Sequence, residues 1–264
     1  MSKVVPLKQF GQNYLTDKNI INKIIETINP AKDENFLEIG PGQGALTEKI
    51  LERCGTLTAI EIDTRVIEDL SARFGELKLI NHDFLKFDFN SDNLDLSKKI
   101  RVAGNIPYNI TSPILFKLIE QKDKIQDCHL MMQLEVAKRI TAVQNTKDYG
   151  ILAVILNYIA DTKLCFKISP NVFYPKPKVF SAIIKIDFKD KLPDQIKLET
   201  FIKVVKAAFG NRRKTLKNSL SNSIFSTCDF ADLDIDLTKR AENLTIENYI
   251  TLTKYVQERF YDKN

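Results

Sequence analysis

Four consecutive residues, Asn105-Ile106-Pro107-Tyr108, bring together an amide, a rigid turn and an aromatic ring. They follow an apolar run from Ile100 to Gly104 that reads as a buried strand. They precede Thr111-Ser112-Pro113, which opens a helical stretch through Leu115, Leu118 and Ile119. The quartet therefore falls at the carboxyl end of a strand, the edge at which open α/β sheets bind ligands. A flat substrate bearing an amine suits it. The Asn105 side-chain oxygen and the Ile106 carbonyl can both accept hydrogen bonds from an exocyclic NH2. Pro107 holds the backbone so that the carbonyl keeps one direction, and Tyr108 offers a face on which a base can stack. The plainer reading is a strand-to-helix turn that uses Asn and Pro for their turn chemistry, and the rest of the chain decides between the two.

A second site candidate lies upstream, in Glu38-Ile39-Gly40-Pro41-Gly42-Gln43-Gly44-Ala45. Glycines between a strand and a helix let a ligand approach the backbone, and the helix start supplies free N–H groups. Gly40, Gly42 and Ala45 satisfy the dinucleotide pattern GxGxxA, with Glu61 near the distance of a ribose contact. A nicotinamide-dependent oxidoreductase is thus one reading. Three features favour S-adenosylmethionine instead. Glu38 sits beside the loop, where a carboxylate repels a pyrophosphate but suits an amine and a sulfonium. The alternation Gly40, Gly42, Gly44 resembles the first motif of class I methyltransferases. Asp83 ends a third strand, where an acid can accept from an adenine amino group while Glu61 accepts from ribose hydroxyls. His82 needs no role beyond that of a loop histidine.

These residues require strands that end together. Strand-like and helix-like segments alternate through the first two thirds of the chain: strands at 35–39, 56–62, 77–81, 100–103 and 128–133, helices at 45–53 and 66–74, and a helix after 133 carrying Val136, Ile140 and Val143. Repeated β-then-α units predict a parallel sheet with helices on both faces. The segments 163–168 and 179–188 have no helix between them, which predicts an antiparallel hairpin at the far end of the sheet. After Phe188 a charged linker containing Pro193 and Asp194 leads to helical patterns at 198–209, 216–224 and 246–260. The expected architecture is α/β: a Rossmann-like class I methyltransferase domain over residues 1–190, then a small all-helical domain over 191–264.

At 264 residues with a hydrophobic fraction of 44%, the chain is long enough for a substantial core. The net charge of +5 does not by itself establish nucleic-acid binding. Its distribution is more informative. Lys203, Lys206, Arg212, Arg213, Lys214 and Lys217 cluster where no Asp or Glu occurs between Phe201 and Phe225, and Lys176 and Lys178 lie near Phe173. That asymmetry favours a phosphate-contacting surface. Cys54, Cys128, Cys165 and Cys228 are widely separated, and with His82 and His129 they form no metal-ligand pattern. They are expected to be free thiols of a cytoplasmic protein. No signal peptide and no membrane-length apolar run is apparent, and nothing demands more than a monomer.

Gln12-Asn13-Tyr14-Leu15, the glycine loop, Glu61, Asp83 and Asn105-Ile106-Pro107-Tyr108-Asn109 together resemble the ribosomal RNA adenine dimethyltransferases. So do the Met131 to Arg139 segment and Phe173-Tyr174-Pro175-Lys176-Pro177-Lys178-Val179-Phe180-Ser181, which resembles that family's FxPxPKVxS segment. The resemblance covers about residues 8 to 258. The segments 211–220 and 240–249 look like the small-subunit (KsgA-type) branch; the large-subunit branch of macrolide resistance usually lacks both. The resemblance implies transfer of methyl groups from S-adenosylmethionine, without a metal, to two adjacent adenosines in a hairpin loop near the 3′ end of small-subunit rRNA. It also implies a role in small-subunit biogenesis. Asn105, Ile106, Pro107, Tyr108 and Phe173 would form the adenine site, with Tyr108 and Phe173 on either side of the base. Gln12, Asn13, Leu15, Glu38, Gly40, Gly42, Gly44, Glu61, Ile62, Asp83, Phe84 and Asn105 would hold the cofactor. Tyr14 departs from the usual phenylalanine, and the basic run before Gln12 is reduced to Lys3 and Lys8. A large-subunit methylase, and an assembly factor whose methylation is secondary, are the other readings.

Overall fold

The computed structural model describes residues 5–7, 11–91, 93–192 and 196–261. Lys3, Lys8 and the Pro193-Asp194 part of the expected linker lie outside them. In chain order the strands are β1 (Tyr14–Leu15), β2 (Phe36–Ile39), β3 (Leu57–Glu61), β4 (Leu77–Asn81), β5 (Ile100–Asn105), β6 (Ile125–Gln133), β7 (Ala160–Ile168), β8 (Phe173–Tyr174) and β9 (Ser181–Phe188). The α-helices are α1 (Lys18–Ile28), α2 (Thr47–Cys54), α3 (Thr64–Arg73), α4 (Thr111–Glu120), α5 (Leu134–Ile140), α6 (Ile151–Ile159), α7 (Leu198–Ala208), α8 (Leu216–Ser221) and α9 (Ile246–Val256).

Seven strands form one sheet in the order β4-β3-β2-β5-β6-β9-β7, and β1 pairs separately with β8. From β4 to β6 all neighbours are parallel, and β9 is antiparallel to β6. The chain builds outward from β2 in one direction through β3 and β4, then returns to build through β5 and β6 in the other. The sheet therefore has its switch point between β2 and β5, where the loops after the two strands part and leave a crevice. Opposite directions of growth, with right-handed crossovers, put α2 and α3 on one face and α4 on the other. The two strands expected at the far end are neighbours in the sheet. Their connection holds a short 3₁₀ turn at Pro170–Val172 and β8.

The edge strand β4 is partly exposed, but the central strands β2, β3, β5 and β6 are buried on both faces: Leu37, Ala59, Ile60, Val102, Ala103, Cys128 and Leu130 are all inaccessible to solvent or nearly so. This explains why the sequences of these central strands are mostly apolar and do not alternate. Helix α1 was not legible as an element beforehand. Asp17 caps it by accepting from the Asn19 and Ile20 amides, and Asn29 ends it in a left-handed conformation at φ 48°. Its Ile24, Ile25 and Ile28 join Leu46, Ile50, Phe36 and Met131 in one hydrophobic cluster. The helix after β6 is shorter than expected: α5 stops at Ile140, and Val143 is 65% exposed.

The chain divides into two compact units: Met1–Ala137 with Lys163–Phe188, and Lys138–Thr162 with Lys189–Asn264. The expected cut at 190/191 assigned 138–162 to the sheet domain. That segment instead contains α6, an almost wholly apolar helix (ILAVILNYI) that is consumed by packing against α7 and α9. Tyr158 lies against Phe201 with ring centroids 4.5 Å apart, and Phe209 stacks on Tyr249, whose hydroxyl donates to the Ala241 carbonyl at 2.8 Å. A run this apolar needs burial all round, which the C-terminal helices supply.

At the amino ends of β5 and β6 a buried charge network closes the sheet. Arg101 donates to both oxygens of Asp127 (3.0 and 2.9 Å), to Glu34 at 2.7 Å and to the Ile28 carbonyl at 2.7 Å, with Phe36 under its guanidinium at 4.9 Å. Satisfying this many donors at once offsets the cost of burying the charge. Nearby His129 is buried with neither ring nitrogen bonded, and burial pushes its pKa down to about 4, so the ring is neutral. Removing one partner of the pair strands the other in a dry environment. Asp127→Ala should therefore lower the free energy of unfolding by about 3–5 kcal/mol, measured by urea denaturation. A loss under 1 kcal/mol would show that the pair is solvated.

Candidate active site

Two short loops meet at the switch point. Gly40, on the β2 side, has φ 64°, and its amide donates to the Ile60 carbonyl at 3.0 Å. Gly42 has φ 53°, and a Cβ on it would fall 2.9 Å from the Tyr14 ring. Both positions therefore demand glycine, Gly40 for its backbone and Gly42 also for space. Gly44 has another purpose. It does not line the cavity, and its missing side chain leaves room for Phe74 and Leu70, which would be 2.9 and 3.0 Å from a Cβ there. On the β5 side the Ile106 amide donates to the Met131 carbonyl at 3.1 Å, and Pro107 (φ −60°, ψ 135°) turns the chain into a 3₁₀ segment from Tyr108 to Ile110. The Thr111 hydroxyl closes this turn onto the Pro107 carbonyl at 3.2 Å.

Between the loops lies a cavity of about 300 Å³. Its walls include Gln12, Asn13, Leu15, Glu38, Gly40, Gly42, Glu61, Ile62, Asp83, Phe84, Asn105, Ile106, Pro107 and Tyr108. Every residue expected at the cofactor site except Gly44 is thus brought to one space. The adenine-site residues share it except Phe173, which is 5% exposed and sits in the hydrophobic cluster, paired with Leu15 across β1 and β8.

The carboxylates are held firmly. Glu61 accepts from the Gly42 amide at 3.1 Å through one oxygen and from the Ile62 and Asp63 amides, each at 2.9 Å, through the other. Burial raises its pKa, and these three N–H bonds oppose the rise. Glu38 accepts from the Thr47 hydroxyl at 2.6 Å, and burial pushes its pKa up to about 7, with nearby Glu61 adding to the rise. Asp83 spends one oxygen capping the Leu85 amide at 2.9 Å. Ile62 is 47% exposed at the rim and offers an apolar face beside Glu61. Among the described residues the cavity carries Glu38, Glu61 and Asp83 and no lysine or arginine. A pyrophosphate would find no countercharge here. A ligand with an ammonium and a sulfonium would.

Asn105 Nδ2 donates to the Asn13 carbonyl at 2.7 Å, which fixes the amide and leaves Oδ1 as its remaining acceptor. Tyr108 lines the cavity, and its hydroxyl shares a hydrogen bond of 2.5 Å with Ser181 Oγ. Two positioning residues were not foreseen. Asp63 accepts from Gln12 Nε2 at 2.9 Å and from Arg65 at 2.6 Å, and Arg65 holds its pKa below the usual carboxylate range. Gly11 (φ 61°) leaves no room for a side chain, since a Cβ there would be 2.9 Å from Asn109 Oδ1. Asp63 follows Glu61 by two residues and Gly11 precedes Gln12, yet neither spacing announces the contact.

Of the expected RNA-binding residues, Lys203, Lys206 and Lys214 line one groove in the C-terminal unit together with Asn211, Asn218 and Asn222. Arg213 and Lys217 are exposed nearby in sequence. Arg212 is committed internally: its guanidinium donates to the Lys147 and Tyr149 carbonyls and to Glu242, at 2.9, 3.1 and 3.0 Å. Lys176 and Lys178 belong to the other unit and are exposed.

The sheet order and the acid-lined crevice define a Rossmann-like methyltransferase. Comparison with known proteins narrows this. The family model described as ribosomal RNA adenine dimethylase matches residues 7–258, and the chain belongs to that family. It is 43% identical over 253 residues to the Ribosomal RNA small subunit methyltransferase A of Francisella tularensis subsp. novicida, covering 94% of this chain and 97% of that protein. Its fold is similar to a dimethyladenosine transferase from Plasmodium falciparum (TM-score 0.77, 23% identity, covering 92% and 97% of the two chains). It is also similar to the 23S rRNA methyltransferase ErmE (TM-score 0.67, 26% identity, covering 93% and 100%). Membership of this family sets the oxidoreductase reading of the glycine loop aside.

Two outcomes test the site. Glu38 has a raised carboxyl pKa, and a cationic ligand favours its ionised form. Affinity for S-adenosylmethionine should therefore increase as pH rises through about 7 and then level off. Calorimetric titration from pH 5.5 to 8.5 reads this, and Glu38→Gln should abolish the slope. If Tyr108 works through its ring, with the hydroxyl only anchoring it to Ser181, Tyr108→Ala should lower turnover by roughly 100-fold. Tyr108→Phe and Ser181→Ala should each cost about tenfold or less. Equal losses in Tyr108→Ala and Tyr108→Phe would assign the chemistry to the hydroxyl.

Proposed function

We propose that this protein dimethylates the exocyclic amine of two adjacent adenosines in a hairpin loop near the 3′ end of small-subunit rRNA. The observation that carries the reading is the Asn105 amide, locked by the Asn13 carbonyl so that its oxygen is left to accept at the mouth of an acid-lined crevice. Bound S-adenosylmethionine supplies an activated methyl group. Glu38, Glu61, Asp83 and the Gly40–Gly42 backbone are the groups that would hold it.

The amine nitrogen of adenine is a weak nucleophile because its lone pair is delocalised into the ring. Two acceptors, Asn105 Oδ1 and the Ile106 carbonyl, bind the two amine hydrogens and turn the lone pair out of that conjugation. Pro107 keeps the two acceptors in a fixed relation, and Tyr108 covers one face of the base. The base must leave its stack to enter, which costs a few kcal/mol and is cheapest in a loop. Positioning of this kind supplies most of the acceleration, so no strong base is required. Transfer of the methyl group leaves its bonding pair on the departing sulfur and makes the amine nitrogen cationic; loss of one proton to solvent then restores a neutral amine with one N–H. Either acceptor can then hold it, which lets the methylated amine rotate and present itself again. Phe173 is buried in the hydrophobic cluster and pairs with Leu15 of β1, so its support for the base site is through β1.

The basic groove of Lys203, Lys206 and Lys214 is suited to phosphates. Binding to RNA should therefore weaken steeply with salt, while the choice of site comes from RNA shape and the extruded base. Small-subunit selection is favoured over the large-subunit alternative by the 43% identity to a protein named for the small subunit. The test is transfer of labelled methyl groups to small ribosomal subunits lacking adenine dimethylation, with large subunits as the control. Dimethyladenosine on small subunits alone is expected. Label on large subunits would move the protein to the other branch. No label on either, with cofactor binding intact, would favour the assembly-factor reading.

A further inference from the structure

The stretch from Thr162 to Ile186 contains Lys163, Lys167, Lys176, Lys178 and Lys185 and no acidic residue. Within it two large aromatic side chains stand in solvent: Tyr174 is 64% exposed and Phe180 42% exposed, with Val179 beside Phe180 at 43%. Large apolar side chains exposed together in one short segment mark a contact surface, as singly scattered ones do not. Both occupy positions that the FxPxPKVxS pattern leaves open.

Each exposed ring is one step from the wall of the active-site cavity. Tyr174 stands opposite Tyr14 in the β1–β8 pair, and Tyr14 lines the cavity. Phe180 precedes Ser181, whose hydroxyl holds the Tyr108 hydroxyl at 2.5 Å. The backbone beneath both rings is anchored. The Phe180 carbonyl accepts from the Leu134 amide at 2.9 Å, and the Phe173–Tyr174 strand is tied to β1. Lys167 Nζ lies 3.7 Å from the centroid of the Phe180 ring. That contact holds the ring in place and sets a cation beside it. Lys176 and Lys178 are exposed on the loop between the two aromatics.

Rigid aromatic faces interleaved with lysines are the surface on which unpaired bases stack while their phosphates are neutralised. We propose that Tyr174 and Phe180 form a stacking platform for the unpaired nucleotides flanking the target adenosine, with Lys167, Lys176 and Lys178 as its phosphate contacts. The platform keeps the loop unstacked beside the site, so the second of two adjacent adenosines stays within reach after the first has reacted. This rests on the small-subunit rRNA reading given above. A protein partner is disfavoured by the charge, since the stretch has five lysines and no acidic residue of its own, although Lys185 reaches Asp187 just beyond it at 2.8 Å.

The test uses Tyr174→Ser and Phe180→Ser, with Tyr174→Phe and Phe180→Tyr as variants that keep a ring. On small ribosomal subunits lacking dimethylation, each serine variant should raise KM about tenfold with kcat within about twofold, and the ring-keeping variants should restore the wild-type KM. Binding of S-adenosylhomocysteine should not change. A single-stranded oligoadenylate, followed by fluorescence anisotropy, gives a readout that does not depend on methyl transfer. The serine variants should bind it about tenfold more weakly. Unchanged KM and unchanged oligoadenylate binding in both serine variants would overturn the platform while leaving the methyltransferase reading intact. A loss that the ring-keeping variants do not repair would overturn it as well. Wild-type protein that labels no subunit, with serine variants still impaired on oligoadenylate, would instead sink the functional reading and leave the platform standing.

Discussion

The close approach of β2 and β5 is the constraint on which the rest of the molecule depends. A Cβ on Gly104 would lie 2.6 Å from the Ile39 carbonyl oxygen, so only glycine lets the two strands pair to their ends. They pair in register from Phe36–Arg101 to Ile39–Gly104, and immediately beyond that pair the chains turn away from each other. One becomes the glycine loop and the other becomes Asn105-Ile106-Pro107-Tyr108. The crevice exists because the connections on either side of this strand pair run in opposite directions. The Asn105 to Asn13 hydrogen bond then bridges residues far apart in sequence and sets the acceptor geometry at its mouth.

Charge is divided between the interior and the exterior of this arrangement. The cavity concentrates carboxylates and holds no cation among the described residues, while lysines occupy exposed loops and the groove of the C-terminal unit. Carboxylates gathered in a buried wall are costly to ionise, and burial together with nearby Glu61 raises the pKa of Glu38. The cost falls when a cationic ligand enters, which ties cofactor affinity to the protonation of one buried side chain. Outside, the lysines give attraction to nucleic acid that does not depend on sequence. Selection is left to the aromatic and amide groups near the mouth.

Stability is concentrated at the opposite ends of the same strands. Arg101, the second residue of β5, joins Asp127, Glu34 and the end of α1 in one satisfied network that ties together the amino ends of β5 and β6. This anchoring lets the carboxyl ends carry positive-φ glycines and buried acids that favour function over stability. The C-terminal unit has its own core, built on aromatic contacts of Phe201, Phe209 and Tyr249.

Local sequence alone determined the parallel strands, the glycine loop, the acids at the strand ends and the Asn-Ile-Pro-Tyr turn. Each is a short segment whose residue types meet a local physical demand: apolar runs that must be buried, glycines that must take positive φ, a proline that sets one dihedral. Tertiary structure decided what distance along the chain conceals. It placed α6 with the C-terminal helices, because a helix that is apolar all round joins whichever core can surround it. It withdrew Gly44 and Phe173 from the cavity wall, because Phe74 and Leu70 fill the space beside one and Leu15 and its neighbours enclose the other. It tied the Arg212 guanidinium to the Lys147 and Tyr149 carbonyls and to Glu242, although the side chain stays partly exposed. Contacts such as Asp63 with Gln12 and Asn105 with Asn13 join residues 51 and 92 positions apart. No local pattern encodes them, since their geometry exists only once the sheet has brought the strand ends together.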